Sequence, residues 1–157
     1  MEFTVRSASH GDIGRILEML EQIGALHRRI RPDVFKEGAR KFDRPALESI
    51  MEQPGKPILV ADGGGLTVGY AMCSVTRRKG HGVMLDGATL FIDDLCVDEA
   101  YRGNGIGGAL FGACVELARG HGCGTVELNV WEGNGEALSF YARRGMTVRK
   151  YGMEYKV

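Results

Sequence analysis

The chain has 157 residues, 44% of them hydrophobic and 25% charged, a composition that suits one soluble globular domain over residues 1–157 with apolar surface enough for a core. Lysine plus arginine and aspartate plus glutamate each number 20, and this formal neutrality argues against wholesale binding to nucleic acid or to an anionic membrane. No stretch approaches the roughly 20 apolar residues of a membrane span, and Met1 to Ser9 lacks a signal-peptide core, so the cytoplasm is the expected location.

Glu2 to Ser7 alternates apolar and polar residues, with Phe3 and Val5 on one side, and reads as an opening strand. Ser9 then caps a helix that has Asp12 in its first turn, and Ile13, Ile16, Leu17, Leu20 and Ile23 recur at helical spacing as a core-facing stripe. Gly24 to Asp43 carries Arg28, Arg29 and Arg31 ahead of Pro32. It reads as a connection between two helices, either a solvated basic loop or the wall of an acceptor pocket, with His27 beside it. Pro45 opens a second helix whose apolar face is Ala46, Leu47, Ile50 and Met51, and Pro54-Gly55 ends it.

Ile58 to Ala61 and Leu66 to Thr76 read as strands joined through Asp62-Gly63-Gly64-Gly65, a hairpin signal. Arg77 to Ala88 reads as a solvated loop, Thr89 to Val97 as a further strand, Ile106 to Arg119 as a helix and Thr125 to Val130 as a strand. Glu136 to Arg144 forms the last helix, ended by Gly145, and the alternation of Tyr151 to Val157 predicts a closing strand. Strands cluster first as hairpins and then alternate with helices, which gives an α/β (α+β) class with a mixed sheet. Cys73, Cys96, Cys114 and Cys123 form no C-x-x-C pair and read as buried free thiols. His10, His27, His81 and His121 are scattered, so no metal is expected.

The stretch that organises the rest is Tyr101-Arg102-Gly103-Asn104-Gly105-Ile106-Gly107-Gly108, between a strand and a helix. Glycine in a helix costs roughly 1 kcal/mol relative to alanine, so Gly107, Gly108 and Gly112 near one helix start are offset either by close packing or by an anion at the free N–H groups of the first turn. Arg102 adds a guanidinium fork suited to phosphate oxygens. Gly103, Gly105 and Gly108 satisfy G-x-G-x-x-G, but too little chain follows for the further parallel strands of a dinucleotide fold. No Lys-Ser/Thr pair follows either, which excludes a Walker loop.

Arg102 to Gly107 resembles the R/Q-x-x-G-x-G/A loop of the GNAT superfamily of acetyl-CoA-dependent N-acetyltransferases, which holds the coenzyme's pyrophosphate. Phe91-Ile92-Asp93-Asp94-Leu95-Cys96-Val97 upstream, and Asn134 through Ser139-Phe140-Tyr141-Ala142-Arg143-Arg144-Gly145-Met146 downstream, are similar to the same family in the same order. The resemblance covers about a third of the chain, roughly Leu90 to Met146, and implies a GNAT fold: a central, mixed, mostly antiparallel twisted sheet of roughly six to seven strands flanked by about four helices. It also implies acetyl-CoA as the donor, a homodimer as in many relatives, and coenzyme contacts from Leu95, Cys96, Val97, Arg102, Gly103, Asn104, Gly105, Ile106, Gly107, Gly108, Asn134, Ala137 and Tyr141.

Moving acetyl from a thioester to an amine requires a neutral amine, a stabilised oxyanion and a proton for the leaving thiolate. Asp93 and Asp94 form an acidic pair in an apolar strand. Strand alternation predicts that they face opposite sides, so that the two do not both address one site. The resemblance to polyamine-type members assigns Asp93 as base or amine-orienting anion and Asp94 as acceptor-binding or structural, with a buried ion pair to an arginine as the alternative for either residue. By the same resemblance Tyr141 is the candidate acid, and backbone N–H groups of Leu95 to Val97 serve the oxyanion, so Cys96 need not be a nucleophile. A subgroup acting on ribosomal protein N-termini carries glutamate where this chain has Asn129, which counts against that subgroup. Glu127, Asn129, Trp131 and Glu132 are expected on the acceptor side, with Trp131 offering a face to an alkylammonium. The resulting expectation is acetylation of a small cationic primary amine by direct attack in a ternary complex. The alternatives are a protein N-terminal or lysine acetyltransferase and a non-catalytic CoA-binding sensor.

Overall fold

The computed structural model describes residues 1–157. Five strands form a single sheet in the order β1-β2-β3-β4-β5: β1 Thr4–Ser7, β2 Ile58–Asp62, β3 Thr67–Arg78, β4 Gly87–Val97 and β5 Thr125–Glu127. The first four are joined by antiparallel ladders, and β5 lies parallel to β4. A parallel pairing needs a crossover, and helix α3, Ile106–Gly120, supplies it. The other helices are α1, Ile13–Ile30, α2, Arg44–Met51, and α4, Gly135–Ala142. The expected α/β class, mixed sheet and four helices are therefore present.

The expected count of six to seven strands is corrected to five. The segment Tyr151 to Val157 alternates as predicted but joins no ladder, and Tyr151, Met153 and Tyr155 are 84%, 95% and 89% exposed. The β5 edge of the sheet keeps only three paired residues, a short template for another strand. What holds the tail instead is electrostatic: Arg31 pairs with Glu154 at 2.8 Å and Lys156 with Asp33 at 3.1 Å.

Both faces of the sheet are covered, which is why Ile58-Leu59-Val60-Ala61 is apolar without interruption. On one face Leu59, Ala61, Ala71, Cys73, Leu90 and Ile92 pack against Ile106, Leu110, Phe111 and Cys114 of α3. On the other, Val60, Tyr70, Met72 and Cys96 pack against Ile13, Ile16, Met19 and Leu20 of α1 and Leu47 of α2. The start of α1 is tied to the hairpin by a polar cluster: Arg6 bridges Asp12 at 2.8 Å and Asp62 at 3.0 Å, and the Ser9 N–H donates to Asp12 at 2.7 Å. Helix α1 runs seven residues beyond Ile23, past Gly24, so His27 and Arg28 sit on its last turns rather than in a loop. The connection between α1 and α2 is thereby shortened to residues 31–43.

Candidate active site

Strand β4 is not regular. Met72 pairs with Asp94 but the next residue, Cys73, pairs with Ile92, so Asp93 is an extra residue bulged out of the ladder. A bulge resets the alternation of side chains. Ile92 faces α3 with Cys73, Asp94 faces α1 with Met72, and the intervening Asp93 turns to the α1 side, where its carboxylate accepts a hydrogen bond from Ser74 Oγ at 2.6 Å. Asp93 and Asp94 thus line one cavity of about 480 Å³, and the expectation that they face opposite sides is overturned.

The sheet opens next to the bulge. Pairing of β4 with β5 ends at Phe91 and Glu127, and beyond it Asp93 to Val97 has no ladder partner on that edge. The cavity occupies the resulting gap, with Leu95 on one wall, Leu128, Asn129 and Trp131 on the other, and Asn134, Ala137 and Tyr141 closing it from the α4 side. Asn134 is the N-cap of α4, its Oδ1 accepting from the Ala137 N–H at 3.2 Å, so its local role in the helix also fixes it at the cavity.

At the head of α3, Gly103 and Gly105 have φ of 82° and 80°, left-handed values that strain any residue with a Cβ. Gly105 is the N-cap and no side chain caps the helix. The first intrahelical bond runs from the Ala109 N–H to the Gly105 carbonyl at 3.1 Å, leaving the N–H groups of Ile106, Gly107 and Gly108 free. Two kinds of demand meet at these glycines. A Cβ on Gly107 would lie 3.2 Å from the Phe140 ring and one on Gly108 2.6 Å from the Arg144 guanidinium, so both glycines make room for the α4 region. Gly112 has no such neighbour. The Arg144 guanidinium stacks on the Phe140 ring at 3.6 Å and donates to the Phe140 carbonyl at 3.0 Å. It carries donors only, so it cannot cap the free N–H groups and instead adds positive charge beside them. Arg102 Nε bonds the Val97 carbonyl at 3.2 Å, and Arg102 shares a second hollow with Arg29, Gly133, Asn134 and Gly135. The residues therefore fit a pyrophosphate: free N–H donors, a helix N-terminus and flanking guanidinium groups.

Burial sets the electrostatics of the cavity. Desolvation raises the Asp94 carboxyl above its ordinary value, and the ammonium of Lys41, 2.5 Å from Asp94 Oδ2, pulls it back only in part. Burial pushes the Tyr141 phenol up to about 12, so its hydroxyl stays protonated at neutral pH, and the ring is held between Phe140 at 5.0 Å and Phe111 at 6.0 Å. Burial likewise pushes the Cys96 thiol up to about 12, and its side chain faces the α1 core. This leaves only the backbone of Cys96 for a ligand. Burial also lowers the pKa of His27, whose ring stacks on Phe35 at 5.1 Å.

A model described as the acetyltransferase (GNAT) family matches residues 20–146 of this sequence, a span that contains the bulge, the glycine turn and Tyr141. The chain belongs to the acetyltransferase (GNAT) family. It is an acetyl-transferring enzyme, and enzymes of this family use acetyl-CoA. Among its relatives is the thialysine N-epsilon-acetyltransferase of Bos taurus, 28% identical over 153 residues, covering 90% of this chain and 82% of that protein. The human spermidine/spermine N(1)-acetyltransferase-like protein 1 is 26% identical over 91% of this chain, which spans 20% of that longer protein. A solved structure of a mutant BH1408 protein from Bacillus halodurans superposes with a TM-score of 0.93 at 26% identity, covering 98% of this chain and 99% of that one.

Of the residues singled out from sequence, Asp93, Asp94, Leu95, Asn129, Trp131, Asn134, Ala137 and Tyr141 meet at the cavity, and Arg102 to Gly108 form the adjoining turn. Glu127 does not line the cavity. It pairs with Arg149 and Phe91 stands opposite it in the ladder, and Glu132 is likewise outside the lining. The Arg31 guanidinium stands over one face of Trp131, 5.6 Å from the ring centroid. Sequence reading missed Lys41, Ser74, Phe35 and Arg144. Phe35 and Lys41 come from the Gly24 to Asp43 segment read as a possible pocket wall, Arg144 lies in the downstream motif without an assigned role, and Ser74 lies in no motif.

Proposed function

We propose that this enzyme transfers acetyl from acetyl-CoA to the primary amine of a small acceptor, by direct attack in a ternary complex. The observation that carries the reading is the bulge at Asp93, which sets a carboxylate free of any cation against the gap where the β4 edge lacks a ladder partner. The coenzyme supplies an acetyl group already activated as a thioester. Ile106, Gly107, Gly108, Arg102 and Arg144 bind its pyrophosphate, and the Leu95 to Val97 backbone edge takes the pantetheine arm and the charge that develops on the carbonyl oxygen. Asp93 orients the acceptor ammonium and takes up its proton, directly or through water. Tyr141, protonated at neutral pH, donates to the departing sulfur.

An acceptor with a distal amine is supported by the relatives, one named for thialysine and one for spermidine. Four free cysteines suit a reducing compartment, which supports a cytoplasmic enzyme. A homodimer is supported by the exposed apolar side chains of Tyr151, Met153, Tyr155 and Val157, on alternate positions of an unpaired segment. The test is thiol release from acetyl-CoA across a panel of amines that includes thialysine, spermidine, an aminoglycoside and a peptide N-terminus. The expected result is release stimulated by one class of small amine. Tight acetyl-CoA binding with no stimulation by any amine would leave a sensor instead.

A further inference from the structure

The cavity is not lined as a simple polycation receptor would be. Its charged lining consists of Asp93 and Asp94 on the β4 floor and Lys36, Arg40 and Lys41 on the rim formed by residues 31–43, three cations against two carboxylates. The two carboxylates also differ in state. Asp94 has a side-chain exposure of 6% and is already matched by Lys41 Nζ at 2.5 Å, whereas Asp93 is exposed and accepts only the Ser74 hydroxyl. Arg40 extends to Glu21 at 2.5 Å with half its side chain exposed, and Lys36 forms no ion pair. His27, also in the wall, is held toward its neutral form by burial.

From this arrangement we infer that Lys41 sets acceptor selectivity: by occupying Asp94 it leaves one carboxylate for one ammonium, and the basic rim then selects an acceptor that carries an anionic group, a small amino acid with a distal primary amine, over a polyamine. The inference deepens the acetyl-transfer reading and rests on it. An amino acid with a distal amine offers that ammonium to Asp93 and its carboxylate to Lys36, the rim cation without an ion pair, and the same carboxylate offsets its own α-ammonium. A polyamine brings two or more ammonium groups with no carboxylate to offset them, its second ammonium competes with Lys41 for Asp94, and Lys36 is left facing cations alone. Selectivity of this kind is a difference of affinities, obtained as much by the repulsion of the wrong ligand as by contacts to the right one. The chemistry is unchanged between the two acceptors: the C–S bond of the thioester breaks, the amide C–N bond forms, one proton passes to the sulfur and one to solvent through Asp93.

The experiment compares kcat/KM for thialysine, for its decarboxylated analogue and for spermidine, in the wild type, Lys41→Met and Lys41→Arg, with acetyl-CoA affinity as a check of fold. Thialysine and its decarboxylated analogue differ only in the carboxylate, so their ratio isolates the rim. The expected result is a wild-type preference for thialysine of about tenfold or more, a fall in that ratio of about tenfold or more in Lys41→Met, and its retention in Lys41→Arg. A wild-type preference for the decarboxylated analogue or spermidine, or a ratio unmoved in Lys41→Met while turnover persists, overturns the role of Lys41. Absence of turnover with every amine while acetyl-CoA binds overturns the acetyl-transfer reading itself, and the selectivity inference with it.

Discussion

Asp93 and Asp94 are neighbours in sequence on one strand, yet both carboxylates face α1, because the ladder sets Met72 opposite Asp94 and Cys73 opposite Ile92 and leaves Asp93 as the extra residue. That single insertion turns an alternating strand into a two-carboxylate floor, next to the gap that begins where pairing with β5 ends at Phe91. Their environments then separate their roles. Asp94 is buried and bound to Lys41, while Asp93 is exposed and bound only to Ser74 Oγ.

Replacing Asp93 by asparagine is therefore expected to lower kcat/KM by roughly 10²-fold or more, the scale of a lost proton acceptor, with little change in CoA affinity. Asp94→Asn leaves the Lys41 ammonium unmatched and is expected to act mainly on acceptor KM. Steady-state kinetics beside a CoA titration separates the two, and equal effects of both substitutions on kcat would contradict the division of labour.

Tyr141→Phe removes only the hydroxyl from a ring held by Phe111 and Phe140, so the fold and CoA binding should persist while kcat falls by roughly 10²- to 10³-fold. Burial pushes the phenol up to about 12, so it loses its proton only as pH passes through that value. The kcat profile should consequently show no alkaline fall near the ordinary tyrosine value of about 10. A descending limb near that pH that disappears in Tyr141→Phe would count against the assignment.

How much of this was readable in the chain itself differs from part to part. The glycine turn and the α3 start were legible because Gly103 and Gly105 meet a local backbone requirement, φ near 80°, that sequence displays directly. The helices and hairpins followed from periodicity, although α1 ran past Gly24 because the packing of Leu20 and its neighbours outweighs the weak propensity of one glycine. The bulge was not legible, since nothing in Ile92-Asp93-Asp94-Leu95 marks an extra residue and register is set by the partner strand. The pairing of Lys41 with Asp94 was not legible for a related reason, since an ion pair between distant elements leaves no period, and the approach of Arg144 to Gly108 depends on how the α4 region packs on α3. Tyr151 to Val157 misled because alternation records a capacity to pair and supplies no partner.

Gly112 and Gly107 make a matched pair of tests on α3. A methyl on Gly112 meets nothing within 4 Å, so Gly112→Ala should raise stability by about 0.5 to 1 kcal/mol with unchanged activity. A methyl on Gly107 meets Phe140 at 3.2 Å and Val97 at 3.6 Å, so Gly107→Ala should lower both thermal stability and CoA affinity. Denaturant unfolding and a CoA titration read both variants, and a stabilised Gly107→Ala would contradict the packing described.

Acid stability should depend on Asp12, which is 4% exposed and accepts from Arg6, Thr67 and Ser9. The Arg6 guanidinium first, with help from these hydroxyl and N–H donors, holds its carboxyl well below the usual carboxylate range. The stabilisation is thus complete above the unfolded carboxylate pKa of about 4 and is lost progressively as pH falls below it toward the folded value. Asp12→Asn should cost about 2 kcal/mol at neutral pH and flatten the loss of stability below pH 4. Unfolding curves across pH 2.5 to 7 for both proteins provide the check, with parallel profiles as the contrary outcome.

The most direct examination is a crystal structure of the protein with CoA. The account requires the pyrophosphate on the N–H groups of Ile106, Gly107 and Gly108 between Arg102 and Arg144, with the pantetheine arm along Leu95 to Val97 and its sulfur near Tyr141. CoA bound away from that turn, or bound there with its thiol directed away from Tyr141 and Asp93, would contradict it.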